Sequence, residues 1–175
     1  HMGALSSINN IDHIENPRIF IKKIRYFNNL RIRYHNSDSQ RRNNKSRIQS
    51  EFPDLKIDYN LSFYKSLFNS KLFVSDHLGT SFLESMQSNI PSVIFINKSC
   101  YSFRDKFNTY IKKLEERKIL FYSSEAAANH INEVFENLDK WWYAEEIQQL
   151  RKEFCDQYAL SSNNWAIRWL ETLSK

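Results

Sequence analysis

Glycine is nearly absent from this chain, which has only two glycines among 175 residues. Gly3 lies in a short leader, residues 1–7, that we interpret as an expression-tag remnant, so Gly79 is the one glycine left for the fold. Phosphate loops of the G-x-G-x-x-G and Walker types need at least two glycines and are therefore excluded. A serine-nucleophile motif of the G-x-S-x-G type is absent as well.

Cysteine, long apolar runs and clustered metal ligands are also scarce. Cys100 and Cys155 are far apart, match no ligand spacing and are expected to be reduced thiols. The five histidines are scattered, so the sequence predicts no metal site. No run approaches the length of about 18 apolar residues that a membrane-spanning helix needs, and none is predicted.

The sequence does carry enough apolar material for a folded core. Hydrophobic residues make up 41% of the chain and aromatic residues 15%. With the length, this favours one domain over residues 8–175. The formal net charge of +5 leaves two interpretations open: an anionic partner, or a basic surface without a specific role. A nucleic-acid partner is not expected, because no aromatic residue interleaves with the basic run 41–47.

The apolar pattern predicts a regular alternation of strands and helices. Strands are predicted at residues 30–35, 55–58, 71–75, 92–97 and 119–122. Helices are predicted at 17–28 (Asn16 as N-cap, Pro17 in the first turn), 60–69, 102–117, 124–136, 144–158 and 163–173. Residues 36–46 have no apolar residue and predict an exposed loop. The alternation predicts an α/β fold: a Rossmann-like parallel sheet flanked by helices, with further helices at the C-terminal end.

Four tryptophans fall in the C-terminal part of the chain. Trp165 and Trp169 are four residues apart and predict the buried stripe of the last helix. Of the adjacent Trp141 and Trp142, at least one is expected to pack at a helix junction. Sugar stacking is the alternative for this pair.

Residues 72–84 form the sharpest motif of the sequence. An apolar strand runs into a polar turn at Gly79, and a helix opens at Thr80 and Ser81. A helix N-terminus that follows a glycine turn offers free backbone N–H groups and a positive dipole end, which suits a phosphate. Thr80 and Ser81 are candidate phosphate contacts, with plain helix capping as the alternative. The predicted ligand site therefore lies near residues 76–84.

Three further residues of this motif are candidates. Glu84 lies one turn into the helix, where its carboxylate can accept two hydrogen bonds from a ribose diol. Its alternative role is a capping box with the backbone of Ser81. Asp76 is expected to cap the turn or to orient His77. His77 is expected to donate to a diphosphate or to stack in the turn.

Cations near other strand ends complete the candidate set. Arg33 and His35 fall at the carboxyl end of an earlier strand, and Arg104 follows the strand 92–97 by a short loop. Because ligands of parallel sheets bind outside the carboxyl ends of the strands, His35 is expected to face the same crevice as the turn at Gly79, and Arg33 and Arg104 are candidate partners of anionic oxygens. The structural alternative for each arginine is an ion pair or solvent exposure.

The order of several segments resembles a family. These are Ser75-Asp76-His77-x-Gly79-Thr80-Ser81-Phe82-Leu83-Glu84, Asn89-x-Pro91-x-Val93-x-Phe95, Leu114-x-x-x-Lys118-Ile119-Leu120, Ser124-x-x-Ala127-Ala128, Trp141-Trp142, Arg151-x-x-Phe154-Cys155 and Trp165-x-x-x-Trp169. From about residue 29 to the C-terminus, the chain is similar to bacterial transferases of surface-polysaccharide clusters, which look related to GT-B glycosyltransferases.

The resemblance implies that the chain is the C-terminal, donor-binding half of a GT-B fold. Its ligands would be a nucleotide-sugar, as substrate rather than cofactor, and a carbohydrate acceptor. Thr80 and Ser81 would contact phosphate, Glu84 would hold the ribose, and Asp76, His77 and Gly79 would shape the turn. The family's acceptor-binding half and its catalytic base lie N-terminal to the matching region, so we expect a longer parent protein, with the isolated chain inactive. A cytoplasmic location is expected, including the inner membrane face.

Two other functional classes stay open at this point. The first is a non-catalytic interaction module in which the basic loop 36–47 docks an acidic partner. The second is one half of a sugar-nucleotide epimerase or a phosphate-binding hydrolase, which share the architecture.

Overall fold

The computed structural model describes residues 7–34, 42–59 and 62–160, together with residues 164, 167, 170, 171, 173 and 174. The strands are β1 (Arg31–Ile32), β2 (Lys56–Ile57), β3 (Phe73–Ser75), β4 (Ser92–Phe95) and β5 (Leu120–Phe121). The helices are α1 (Ser7–Lys23), α2 (Arg42–Glu51), α3 (Phe63–Phe68), α4 (Thr80–Gln87), α5 (Asp105–Glu116), α6 (Ser124–Val134), α7 (Leu138–Trp142) and α8 (Glu145–Tyr158). Each strand lies inside a segment that the sequence predicts as a strand.

All strand pairs of the described residues are parallel, which confirms the predicted α/β class. β3, β4 and β5 form a three-stranded sheet in that order, with Val74 opposite Val93 and Ile94 opposite Leu120. β1 and β2 pair separately, with Ile32 opposite Ile57. The described strands thus form two parallel sheets, whereas the sequence suggests a single one.

Strand β4 is the centre of the molecule because both of its faces are buried. Val93 and Phe95 pack into a cluster with residues of α1 and α6, where the rings of Phe20 and Phe95 stack at 5.3 Å. Ile94 packs into the opposite cluster, which contains residues of α4, α5 and α8. Side chains of a strand alternate between its faces, so a continuous apolar run serves both clusters. Helices therefore cover both sides of the larger sheet.

The smaller sheet is attached through a third cluster. Ile21 of α1, Ile48 of α2 and Leu55 before β2 are buried together, and Ile32 of β1 packs against them. Helix α1 thus contacts the larger sheet through Phe20 and this cluster through Ile21. The two sheets are linked by one helix with two buried faces.

Helix α1 corrects the prediction at the N-terminal end. The sequence predicts a helix over 17–28 with Pro17 in its first turn, but α1 begins at Ser7, ends at Lys23 and holds Pro17 in its interior. An interior proline removes one backbone hydrogen bond and costs about 3 kcal/mol or more. The two buried faces of α1 after Pro17 explain how the helix tolerates this cost.

Helix α2 corrects the predicted loop. Residues 42–46 belong to α2, although the segment 36–46 carries no apolar residue. The helix is fixed by tertiary contacts, since Glu51 accepts a hydrogen bond from Arg18 at 3.0 Å and pairs with Lys22 at 2.7 Å. These hydrogen bonds lower the pKa of Glu51 to about 2. Ile48 is the buried anchor among residues 45–51, the part of the helix whose side chains are described.

The remaining helices follow the prediction with shifted ends. The sequence missed the short helix α7, but Trp142 at its end is fully buried, as expected for a helix junction. Trp165, Trp169 and His35 lie outside the described residues. Among the helices that are described, we find none with the length and apolar character needed to span a bilayer.

Candidate functional site

The candidate site is the turn between β3 and α4, at the carboxyl edge of the larger sheet. Helix α4 begins at Thr80, where the motif predicts it, and Gly79 is its N-cap residue. Thr80 and Ser81 are the first two helical residues, so neither is the cap. Thr80 is exposed and Ser81 half-buried. The two hydroxyl groups therefore lie beside the open end of the helix.

Gly79 is favoured by a close approach of the His77 side chain and not by an unusual backbone angle. Its φ of −145° and ψ of −173° are extended values that any residue can adopt. A Cβ atom at this position would lie 2.9 Å from Nε2 and 3.0 Å from Cδ2 of His77. The absence of a side chain thus lets the imidazole ring pack over the start of α4.

Asp76 and Ser75 hold His77 in this position. Oδ1 of Asp76 lies 3.0 Å from Nδ1 of the imidazole ring. The Ser75 hydroxyl donates a hydrogen bond of 2.7 Å to the carbonyl oxygen of His77. Of the two roles considered for Asp76, the structure has the contact that orients His77.

The N-terminus of α4 differs from those of the other helices whose caps are described. Helices α3 and α6 have side-chain caps from Ser62 and Ser123. Helices α5, α7 and α8 have no side-chain cap but carry Asp or Glu in the first turn. Helix α4 has neither. In the described part of the chain, the N–H groups of Thr80 and Ser81 have no acceptor. The positive end of this helix dipole is therefore uncompensated.

Glu84 is held by a tyrosine and does not form the capping box. The hydroxyl of Tyr64, on α3, donates a hydrogen bond of 2.8 Å to Oε1 of Glu84. This bond raises the pKa of Tyr64. Because the carboxylate is directed to α3, it does not reach back to the backbone of Ser81. Oε2 of Glu84 has no partner among the described residues.

The loop between β4 and α5 contacts the turn from the adjacent strand. The Leu78 N–H donates a hydrogen bond of 3.1 Å to the hydroxyl oxygen of Tyr101, whose ring stacks on Phe103. Burial raises the pKa of Tyr101. Arg104 lies in the same loop as the exposed N-cap residue of α5. The neighbouring loops therefore meet at the carboxyl edge of the sheet, as the parallel topology requires.

Arg33 lies at the corresponding edge of the smaller sheet. Its guanidinium pairs with Asp58 at 3.3 Å and donates to the hydroxyl of Ser66, on α3, at 3.4 Å. The ion pair is one of the two alternatives considered for this arginine. Since Tyr64 and Ser66 belong to the same short helix, α3 connects Arg33 with Glu84.

The family model for the LIC12162 family transferase matches residues 3–173. The chain belongs to the LIC12162 family of transferases. No curated protein and no solved structure shows significant similarity to it. The transferase part of the resemblance is thereby confirmed.

Several motif residues of this LIC12162 family transferase form scaffold contacts at the other end of α4. The Asn89 side chain accepts hydrogen bonds from Nε1 of Trp142 at 2.9 Å and from Nε2 of Gln148 at 3.2 Å. The Arg151 guanidinium donates to the carbonyl oxygen of Met86 at 3.0 Å. These residues fix the helix and do not reach its open end.

Sequence reasoning missed two tyrosines beside the turn of this transferase. Tyr101 follows β4 at its carboxyl end, so the rule that places ligand sites at strand ends pointed to its loop. Tyr64 carries no such signal, because its contact with Glu84 spans 20 residues and depends on how α3 packs.

Proposed function

We propose that this LIC12162 family transferase is the donor-binding half of a GT-B-like glycosyltransferase that uses a nucleotide-sugar to build cell-surface carbohydrate. The start of α4 binds the diphosphate of the donor, and Glu84 holds the ribose. The acceptor-binding half is a further domain of the same protein, which also supplies the catalytic base.

The observation that carries the proposal is the uncompensated N-terminus of α4. The N–H groups of Thr80 and Ser81 lack acceptors among the described residues, and two hydroxyls stand beside them. A helix end of this kind favours an anion electrostatically and by hydrogen bonding. The glycine N-cap supplies no capping side chain, and the imidazole ring of His77 that packs beside it is a candidate donor to the anion.

The position of Glu84 supports a nucleotide over a simple phosphate ion. Its carboxylate lies one turn beyond Thr80, and Oε1 is fixed by Tyr64. Oε2 remains to accept a hydrogen bond from a ribose hydroxyl. A carboxylate would repel a bare anion at short range but suits the neutral sugar that follows a diphosphate.

In the proposed reaction, a hydroxyl oxygen of the acceptor attacks the anomeric carbon of the donor sugar. The new glycosidic C–O bond forms while the bond from that carbon to the phosphate oxygen breaks. The nucleotide leaves with the electron pair, and the hydroxyl proton passes to the base. The α4 terminus stabilises the negative charge that develops on the leaving phosphate, with Arg104 as an added cation on the neighbouring loop.

The test is calorimetric titration of the purified chain with CMP, CDP, UDP and GDP, with and without magnesium. We expect saturable binding of one nucleotide. Glu84→Ala should weaken it by about 10- to 100-fold, the range for a lost hydrogen bond to a charged group. Glu116→Ala is the matched control, because Glu116 is an exposed glutamate at the end of α5.

The outcomes separate the remaining classes of function. Equal affinity of the wild-type chain and Glu84→Ala would remove the ribose assignment. No binding of any nucleotide to the folded chain would contradict the donor-site proposal and favour the interaction module. The transferase description of the family favours group transfer over the epimerase alternative.

A further inference from the structure

The contact between Tyr64 and Glu84 assigns a role to a residue that no sequence motif includes. The phenol donates to a carboxylate across two helices at 2.8 Å. Hydrogen bonds to an ionised acceptor are about twice as strong as neutral ones. Among the described residues, Tyr64 is the one side chain that holds this carboxylate.

Tyr64 lies on the short helix α3, and its side chain is half exposed. Helix α3 is capped by Ser62, which accepts a hydrogen bond from the N–H of Lys65. The side chain of Leu67 is buried, with an exposed fraction of 2%. The ring of Phe63 packs edge-on against Phe73 of β3, with the ring centroids 5.8 Å apart. The phenol is therefore presented from a helix that packs on the sheet that also carries the turn.

The hydrogen bond from Tyr64 restricts the conformations that the Glu84 side chain can adopt. A glutamate on an exposed helix surface otherwise samples several rotamers, and ordering such a side chain opposes binding. Tyr64 fixes Oε1 and leaves Oε2 without a partner among the described residues. A ligand hydroxyl can then bind to Oε2 without first ordering the side chain.

We propose that Tyr64 is the positioning residue of the ribose-binding carboxylate, acting on nucleotide affinity only through Glu84. This inference rests on the proposed function of the α4 terminus. The geometry points to Tyr64 because a capping box, the usual local alternative for Glu84, is replaced by this bond between helices.

A double-mutant cycle tests the inference. The affinity of the chain for whichever of CMP, CDP, UDP and GDP binds the wild type is measured for Tyr64→Phe, Glu84→Ala and the double variant. Tyr64→Phe should weaken binding by about 2- to 12-fold, because the ligand must then itself order the Glu84 side chain, and ordering one flexible side chain on binding has a cost of this size. In the Glu84→Ala background the same change should have no effect, because no carboxylate is left to position.

Two further measurements distinguish positioning from a structural role. Tyr143→Phe removes the same atom from a tyrosine of similar exposure, 53% against 50% for Tyr64, and should leave affinity unchanged. The pKa of Tyr64, read from its NMR titration, should fall in Glu84→Ala because its raised value comes from this bond.

Two other kinds of result would contradict these proposals, and each contradicts a different one. Equal affinity of wild type and Tyr64→Phe, or additive losses in the double variant, would overturn the role of Tyr64 and leave the donor site intact. Failure of every nucleotide to bind the wild-type chain would instead overturn the proposed function, and this inference with it.

Discussion

The two ends of helix α4 have opposite polar environments. At the C-terminal end, the carbonyl oxygens of Glu84, Ser85 and Met86 accept hydrogen bonds from the N–H groups of Ser88, Ile90 and Asn89, respectively. At the N-terminal end, the N–H groups of Thr80 and Ser81 have no acceptor within the described chain. The same eight-residue helix is thus closed by the protein at one end and open at the other.

The closed end is a Schellman arrangement that is supported by side chains. Asn89 has a positive φ of 55°, as this motif requires of the residue after the C-cap. Its side chain accepts a hydrogen bond from the fully buried Trp142, and Arg151 adds a bond to Met86. This end therefore contributes to stability, whereas the open end is available to a ligand. The hydrogen bonds that anchor α4 are thus concentrated at its C-terminal end, and its N-terminal end is the one that we propose binds an anion.

The largest expected effect is at the closed end. Trp142→Ala should lower the free energy of unfolding by about 3–5 kcal/mol, because it removes a fully buried indole and leaves a cavity. Chemical denaturation measures this loss. Tyr143→Ala, at the adjacent exposed position, should stay within about 0.5 kcal/mol of the wild type. Similar losses for both variants would show that Trp142 is not a specific anchor.

A smaller loss is expected at Asn89. Asn89→Gly should destabilise the chain by about 0.5–1.5 kcal/mol, because the indole N–H of Trp142 loses its side-chain acceptor but keeps the carbonyl oxygen of residue 89 at 3.3 Å, while the positive φ stays allowed. Asn89→Ala should cost roughly 1 kcal/mol more, since alanine also disfavours that φ. Equal unfolding free energies for the two variants would show that the positive φ of residue 89 adds nothing to the cost of Asn89→Ala.

At the open end, Gly79→Ala should cost only about 0.5–1.5 kcal/mol of stability, the cost of a strained rotamer of His77. The double change His77→Ala with Gly79→Ala should recover this loss, because the new Cβ then meets no imidazole. Thermal unfolding of the three proteins gives the comparison. A loss that persists in the double variant would indicate a backbone requirement that the observed φ does not predict.

The smallest effect is a pH dependence at Tyr64. Its pKa is raised above the ordinary value of 10.0 by the hydrogen bond to Glu84. The folded state thus favours the neutral phenol, and the contribution is fully present below about pH 10 and lost as pH rises through the raised pKa. The stability difference between the wild type and Tyr64→Phe should therefore stay constant up to about pH 10 and shrink as the pH rises above that value. A constant difference would exclude the bond as its source.

The sequence predicted those parts of the fold that follow from local pattern. The apolar run of β4 predicts a strand buried on both faces, and the β3–Gly79–Thr80 motif predicts the start of α4. Local pattern could not predict α2, because its helix depends on ion pairs from α1 to Glu51. It also placed the start of α1 wrongly, since Pro17 usually marks a first turn but is here tolerated inside the helix.

The candidate site shows the same division. Gly79, Thr80, Ser81 and Glu84 lie along one short segment, so their proximity follows from the sequence. Tyr64 reaches Glu84 only through the packing of α3, and the pairing of Arg33 with Asp58 is visible only in the folded chain. Long-range partners of this kind leave no periodic signal in a single sequence.

The most direct test of the open end is Ser81→Asp, measured by both chemical denaturation and nucleotide titration. An added carboxylate in the first turn should compensate the helix dipole and raise stability by about 0.3–1 kcal/mol. The same charge should repel the diphosphate and abolish binding, while the neutral Ser81→Asn keeps measurable affinity. Opposite changes in stability and binding are the result that we predict. Unchanged nucleotide affinity in Ser81→Asp would contradict an anion site at the start of α4.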